Sequence, residues 1–412
     1  MGCLVKEVRK SAVLEQSLFR FTGGMDQTKK YNAEIGKFTG LFNRNPEYAI
    51  KSPARVNIIG EHTDYNEGFV FPAAINCSTH LVAAKNGKRQ VRIYSTTYNE
   101  MSEFSLDKLK RSHHWSDYVK GVAKELIERD SPVEGFDAVI GGDIPIASGL
   151  SSSASLEMAV SEACSALFRF SLEAWEQIKL CRRAENHFVG VNCGIMDQFS
   201  IRMGRRGHGL FLDCRSLDYE AIPIPADELV FVIADSGVER GLGATEYHQR
   251  QKQCERGRRF FSSINKSMRS LRDVEEGLLI INREKLDPVI FRRCRHVITE
   301  NKRVLRAVEA LKKPDMAFFG ELMNLSHESC KNDYEVSCKE LDLLVDLARM
   351  VHGVLGARMT GAGFGGCTIN LVMRNRVEEF KQKVGSMYKK STRITPKFYV
   401  TQPEDGVSSE KL

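Results

Sequence analysis

The chain lacks any run near the roughly 18 consecutive apolar residues that a membrane-spanning helix needs, so nothing in it is expected to cross a bilayer. Its amino terminus, Met1 to Lys10, has charges but no apolar core of signal-peptide length, which points to the cytosol or an equivalent compartment. Met1-Gly2-Cys3 invites an acylation reading, but Lys6 stands where the myristoylation pattern requires Ser or Thr. C-x-x-C pairs are absent. The 11 cysteines are scattered, a pattern of reduced buried thiols rather than of a disulfide framework or a zinc ribbon.

Dense Lys/Arg clustering with interleaved aromatics is also missing. The net charge of +7 is a small surplus over 412 residues, which argues against a nucleic-acid surface and suits anionic small substrates. The most basic stretch, Arg250 to Arg259, contains Glu255 and reads as the solvated face of a helix. No internal repeat or low-complexity tract occurs. With 42% hydrophobic and 27% charged residues the composition is that of ordinary folded domains, and the length points to two of them.

What is present is a cradle. Residues 145–154 read P-I-A-S-G-L-S-S-S-A, and an apolar helical repeat (Leu156, Ala159 or Val160, Ala163, Leu167) follows at once. The first N–H groups of a helix have no internal partner and sit at the positive end of its dipole, so an anion gains hydrogen bonds and field there together. Gly149 lets the backbone come close, and Ser151, Ser152 and Ser153 add hydroxyls. A short strand through Phe136, Ala138 and Ile140 precedes the loop. No Lys follows Gly149, so this is not a Walker A loop and a different nucleotide-binding class is required.

Around the cradle, residues 1–48 read as a helical lead-in, Ala49 to Gly60 as extended, and Glu61 to Asn66 as a polar turn before a strand through Phe69, Val70 and Phe71. Leu229 to Ala234 is a buried-type strand, 245–315 reads as long charged helices and 317–352 as two more. Ser337 and Glu340 suggest a capping box at the second of these. Gly361 to Gly366 forms a second glycine-rich loop feeding a strand from Cys367 to Met373, and the tail after Gln402 is expected to fray. This order predicts an α+β protein of two lobes with the ligand between them, divided as 1–209 and 210–412.

Three segments, S-P-A-R-V-N-I-I-G-E-H-T-D-Y-N at 52–66, G-L-S-S-S-A at 149–154 and M-T-G-A-G-F-G-G-C at 359–367, resemble the galactokinases, within the wider group of homoserine, mevalonate and phosphomevalonate kinases. C-G-I-M-D-Q at 193–198, R-G-L-G-A-T-E-Y at 240–247 and N-D-Y-E-V-S-C-K-E-L-D at 332–342 look like the same family, so the likeness runs from about residue 38 to 401. The glycine-rich segments would fit any member of the wider group, whereas G-E-H-T-D-Y-N is close to a galactokinase signature. Ala147, Ser148 and Ala362 stand where family members often carry glycine.

The resemblance implies a two-lobed small-molecule kinase fold and transfer of a phosphoryl group from ATP, with Mg²⁺, to the C1 hydroxyl of galactose. Asp197 is similar to the family's catalytic base, and Arg55 would lie beside it and offset negative charge in the transition state. Glu61, His62, Thr63, Asp64, Gly194 and Tyr247 resemble the sugar pocket, where paired acceptors reject the wrong epimer by stranding a buried polar group. Ala147, Ser148, Gly149, Leu150, Ser151, Ser152 and Ser153 would hold the phosphates, with Ser95 and Trp115 on the adenosine side. Ser153 and Glu185 would ligate Mg²⁺, which prefers few protein oxygens. His62 lacks a second ligand at helical spacing, which argues against zinc. The expected protein is a cytoplasmic monomer acting on galactose and ATP. Two alternatives remain at this point: a kinase for another sugar such as N-acetylgalactosamine or galacturonate, and a non-catalytic regulator that binds galactose and ATP.

Overall fold

Helix α1 (Asn32–Phe42) leads into β1 (Tyr48–Ile59), whose alternation organises the molecule: Ala54, Val56 and Ile58 are fully buried in core, while Arg55 and Asn57 belong to the opposite side. The computed structural model describes residues 30–145, 149–225, 227–238 and 243–412, so most of the expected lead-in lies outside the described residues.

The first sheet holds β1, β2 (Phe69–Lys85), β3 (Gln90–Ser95), β4 (Glu100–Ser105) and β5 (Phe136–Gly142), with β3 and β5 parallel and the other pairs antiparallel. Helices α2 (Asp117–Ile127), α3 (Ser152–Phe168), α4 (Ala174–Arg183) and α5 (Met196–Met203) pack with it, and β6 (His208–Asp213) and β7 (Tyr219–Pro223) extend it from β2. The second sheet begins at β8 (Leu229–Asp235). Between β8 and its remaining strands in sequence lie α6 (Gly243–Ile264), α7 (Glu276–Ile281), α8 (Pro288–Lys312), α9 (Met316–Ser329) and α10 (Lys339–Arg349). The sheet is completed by β9 (Val354–Thr360), β10 (Cys367–Met373) and, after α11 (Val377–Thr392), β11 (Lys397–Thr401). A shared core in which Val56, Ile58 and Phe71 meet Ile233, Phe319 and Leu371 joins the two sheets. This is the mixed α+β architecture expected, and no helix among the described residues is long and apolar enough to cross a membrane.

Several local expectations fail. The tail does not fray: β12 (Ser408–Lys411) returns to the first sheet and pairs antiparallel with Tyr48–Lys51 of β1. Its backbone finds partners there that a polar composition could not announce. Helix α10 has Cys338 at its cap, and Ser337 donates to Asp342 at 2.6 Å, so Ser337 and Glu340 form no capping box. Arg250 is buried and donates to the carbonyls of Tyr334 and Glu335, because long-range partners satisfy its guanidinium. Helix α3 has more than one buried stripe: Ser155, Glu157 and Ser161 are buried as fully as Ala159 and Ala163, since β1 and β2 and three helices surround it.

Past Lys51, β12 no longer covers β1, and the free edge is used otherwise. The Arg55 N–H donates to the Leu150 carbonyl at 3.2 Å and the Asn57 N–H to the Thr360 hydroxyl at 3.2 Å. One strand edge therefore docks the serine loop and the approach to the second glycine-rich loop side by side. A register shift between Pro53 and Ala54 falls just before Arg55.

Candidate active site

Arg55 and Asp197, 142 residues apart in sequence, meet as a fork: Nε to Oδ1 at 2.7 Å and Nη2 to Oδ2 at 2.8 Å. The remaining Nη1 donates to the Gly149 carbonyl at 2.7 Å, so the guanidinium links the carboxylate to the serine loop. Burial works against the charge on Arg55, but Asp197, Glu61 and Asp64 together outweigh it and hold the guanidinium above its ordinary range. Asp197 lies in the first turn of α5, where a helix favours negative charge. Ser151 donates to Asp197 as well. It has a left-handed backbone (φ 58°) at the cap of α3 but makes no capping hydrogen bond, so its hydroxyl serves the site rather than the helix.

These groups border a cavity of about 300 Å³ that is also lined by Glu61, His62, Asp64, Gly194 and Tyr247. Glu61 is almost fully occupied from behind: Oε1 accepts from the Gly361 N–H at 2.7 Å and Arg358 Nη1 at 3.3 Å, and Oε2 from Asn57 at 2.9 Å. Burial raises its pKa, opposed chiefly by Arg358. Asp64 fits against Gly194 so closely that a Cβ there would stand 1.6 Å from its Oδ2. Burial and then the charge of Asp197 push the Asp64 carboxyl up to about 6. Tyr247 is raised well above the usual phenol range by burial and by Asp64. Thr63 departs from the expectation. Its hydroxyl points to the carbonyls of Gly60 and Phe69, closing the turn, and it does not border the cavity.

A second cavity of about 200 Å³ is lined by Ser95, Trp115, Tyr118 and Leu156, and it shares Ser152 and Ser153 with the first. The two cavities thus meet at the first turn of α3. Leu150 borders neither; its side chain is buried in the core between the sheets and only its backbone reaches Arg55. Ala147 and Ser148 lie outside the described residues. Glu185 faces inward from a π-helical segment, Ala184–Val189, and lines the first cavity. Its Oε2 accepts from Gln198 at 2.8 Å and Cys193 at 3.3 Å, and burial followed by the Asp197 charge raises its carboxyl to about 6. Behind it, Gln198 also donates to the wholly buried Glu157 at 3.0 Å.

Sequence pattern gave no role to Arg358, Asn57, Gln198 or Glu157, although Asn57 and Gln198 stand inside family-like segments and Arg358 immediately precedes one. An arginine in a strand reads as surface. Arg358 is instead fully buried, paired with Glu61 and bonded to the carbonyls of Asn57 and Ile58.

Models of the GHMP kinases N terminal domain and the GHMP kinases C terminal domain match residues 117–205 and 307–390. The mevalonate kinase of Methanococcus jannaschii has the same fold, with a TM-score of 0.62 at 20% identity over 88% of this chain and 100% of that one. The fold is therefore that of a GHMP kinase. The galactokinase galactose-binding signature matches residues 36–85, and a galactokinase of Roseiflexus sp. (strain RS-1) is 41% identical over 372 residues, 90% of this chain and 95% of that protein. The crystal structure of Lactococcus lactis galactokinase complexed with galactose matches with a TM-score of 0.87 and 38% identity, covering 91% of this chain and 98% of that one. The chain belongs to the galactokinase family.

Proposed function

We propose that this chain transfers the γ-phosphoryl group of ATP to the anomeric C1 hydroxyl of D-galactose, giving α-D-galactose 1-phosphate and ADP. The observation that carries this is the Arg55–Asp197 fork beside a sugar-sized cavity whose serine wall, Ser152 and Ser153, is shared with the second cavity. In this reading galactose fills the first cavity with its hydroxyls on Glu61 and Asp64, and the adenosine lies towards Ser95 and Trp115. Asp197 accepts the C1 hydroxyl proton, and Arg55 orients that carboxylate and offsets charge on the attacked phosphoryl group. Tyr247 closes the sugar side beside Asp64.

Ser153 and Glu185 fit a magnesium ion. A hydroxyl and a buried carboxylate border the phosphate end of the cavity, and a carboxyl whose pKa burial has raised gains most from a cation beside it. When bound, Mg²⁺ would neutralise charge on the phosphate oxygens. We further propose a cytoplasmic monomer: the ten described cysteines are all free, as in a reducing compartment, and large exposed apolar side chains such as Tyr98, Ile264 and Met350 are scattered along the chain.

An ADP-release assay across galactose, glucose, N-acetylgalactosamine and galacturonate tests the reaction. Galactose is expected to be turned over best, and Asp197→Asn to bind ATP but transfer phosphate at least about 10²-fold more slowly. Tight galactose binding without turnover of any sugar would leave a sensor instead of a kinase.

A further inference from the structure

The segment Asn332-Asp333-Tyr334-Glu335 takes no part in the reaction as read above, yet arginines clamp it from several sides. Arg250 donates to the carbonyls of Tyr334 and Glu335, both at 2.7 Å, and Arg293 to the Asp333 carbonyl at 2.6 Å. Arg295 pairs with the Asp333 carboxylate, and Arg292 with that of Glu335 at 2.8 Å. Four arginines from α6 and α8 thus fix one π-helical turn, which ends at Glu335 in a left-handed backbone (φ 53°). What the turn presents is the fully buried ring of Tyr334, packed between His296 (centroids 4.3 Å) and His62 (4.9 Å).

From that ring a chain of hydrogen bonds runs into the sugar pocket: Cys254 Sγ to Tyr334 Oη at 3.1 Å, Tyr334 Oη to Tyr65 Oη at 2.8 Å, Tyr65 Oη to His62 Nδ1 at 2.8 Å, and His62 Nε2 to the Ala362 carbonyl at 3.2 Å. Its direction follows from the last link. A carbonyl only accepts, so Nε2 carries the proton. Burial, with His296 nearby, pulls the His62 pKa down to about 3, so the ring is neutral and Nδ1 is bare. Tyr65 must then donate to Nδ1, which leaves its oxygen to accept from Tyr334, whose oxygen accepts in turn from the Cys254 thiol.

We propose that Tyr334 is a positioning residue of the sugar pocket: its hydroxyl orders that of Tyr65, which fixes the His62 ring against the Ala362 carbonyl. This link adds to the Gly361–Glu61 bond in holding the signature turn 61–66 and the glycine-rich loop 361–366 as one wall. This rests on the sugar-kinase reading above, but the chain itself can be tested without sugar.

The test combines Tyr334→Phe, Tyr65→Phe and the double variant with long-range ¹H–¹⁵N spectra of the histidine rings. In the sugar-free wild type, His62 is expected to carry its proton on Nε2; a proton on Nδ1 would overturn the chain even if Tyr334→Phe proved unable to fold. Each single variant is expected to raise the galactose KM about three- to tenfold, with kcat and the ATP KM within about twofold, and to shift or broaden the His62 ring signals. Because Tyr334 acts through Tyr65, the double variant should match Tyr65→Phe alone within about twofold. Multiplying effects, or an unchanged galactose KM in Tyr334→Phe, would reduce Tyr334 to a packing residue. Should the wild type turn over a different sugar, the function above fails and the variants are read on that sugar instead.

Discussion

Replacing Arg55 by lysine separates charge from geometry at the centre of the site. The native side chain makes three short bonds in one plane, two to Asp197 and one to Gly149. A lysine keeps the charge but presents it from a single nitrogen, which cannot reach both Asp197 oxygens and the Gly149 carbonyl. Two charge-assisted bonds are then lost, at about 1.5 kcal/mol each by the lower end of the usual range, or about 3 kcal/mol in all. An unfolding entropy of about 2.1 cal/mol/K per residue converts this to a fall in Tm of about 3 °C for a chain of this size. Turnover should suffer more than stability. A carboxylate that drifts by about 1 Å from the attacking hydroxyl costs about 10²-fold in rate, whereas the ATP KM should move less than about threefold, because Ser152, Ser153, Ser95 and Trp115 are untouched. Coupled ADP release with saturating galactose, and calorimetry on the same preparation, measure both quantities. Wild-type kcat in the Arg55→Lys variant would show that the fork is structural and that the chemistry needs only a nearby cation.

Two further predictions use the raised carboxyls and the tight glycine. Asp64 and Glu185 take up protons at about pH 6, so kcat/KM should fall as pH drops through 6, and Asp197→Asn should move the midpoint of any residual activity lower, since the Asp197 charge helps raise both groups. The stability sign is opposite: both pKa values lie above the unfolded range of about 4, so the folded state binds protons first and the ligand-free enzyme gains stability from these groups as pH falls from about 7 to 5. His62 and His296, whose pKa values burial pulls down to about 3 and about 4, act with the opposite sign over the same window, so the check is a difference: the Tm of the wild type relative to Asp64→Asn should rise as pH falls from about 7 to 5, and a difference that stays flat or falls contradicts it. Gly194→Ala would drive a methyl group into Asp64 Oδ2, and its galactose KM is expected to rise at least about tenfold with the ATP KM unchanged. Normal galactose affinity in that variant would mean that Asp64 does not hold the sugar.

Most of the elements and the three central motifs were legible in the sequence, because strand alternation, helical spacing and glycine- or serine-rich turns are local properties. The extended run from Ala49 to Gly60 was legible as such, and the serine loop announced a helix start rich in donors. Local pattern could not say that Thr63 would turn its hydroxyl into the backbone while His62 and Asp64 face the cavity, nor that Leu150 would be core. Those outcomes depend on which carbonyls and side chains arrive from elsewhere. The same holds for Arg250 and Arg358, which read as surface cations and are buried only because partners more than 80 and nearly 300 residues distant satisfy them.

The order of residues settles which chemical groups are available and on what kind of element each is carried. Tertiary structure alone decided their meeting: the open edge of β1 beyond Lys51 accepts the serine loop and Thr360, and Asp197 arrives on α5 from 142 residues away. The physical reason is that backbone propensity acts over a few neighbours, whereas a buried charge pair forms only where packing brings its two halves together.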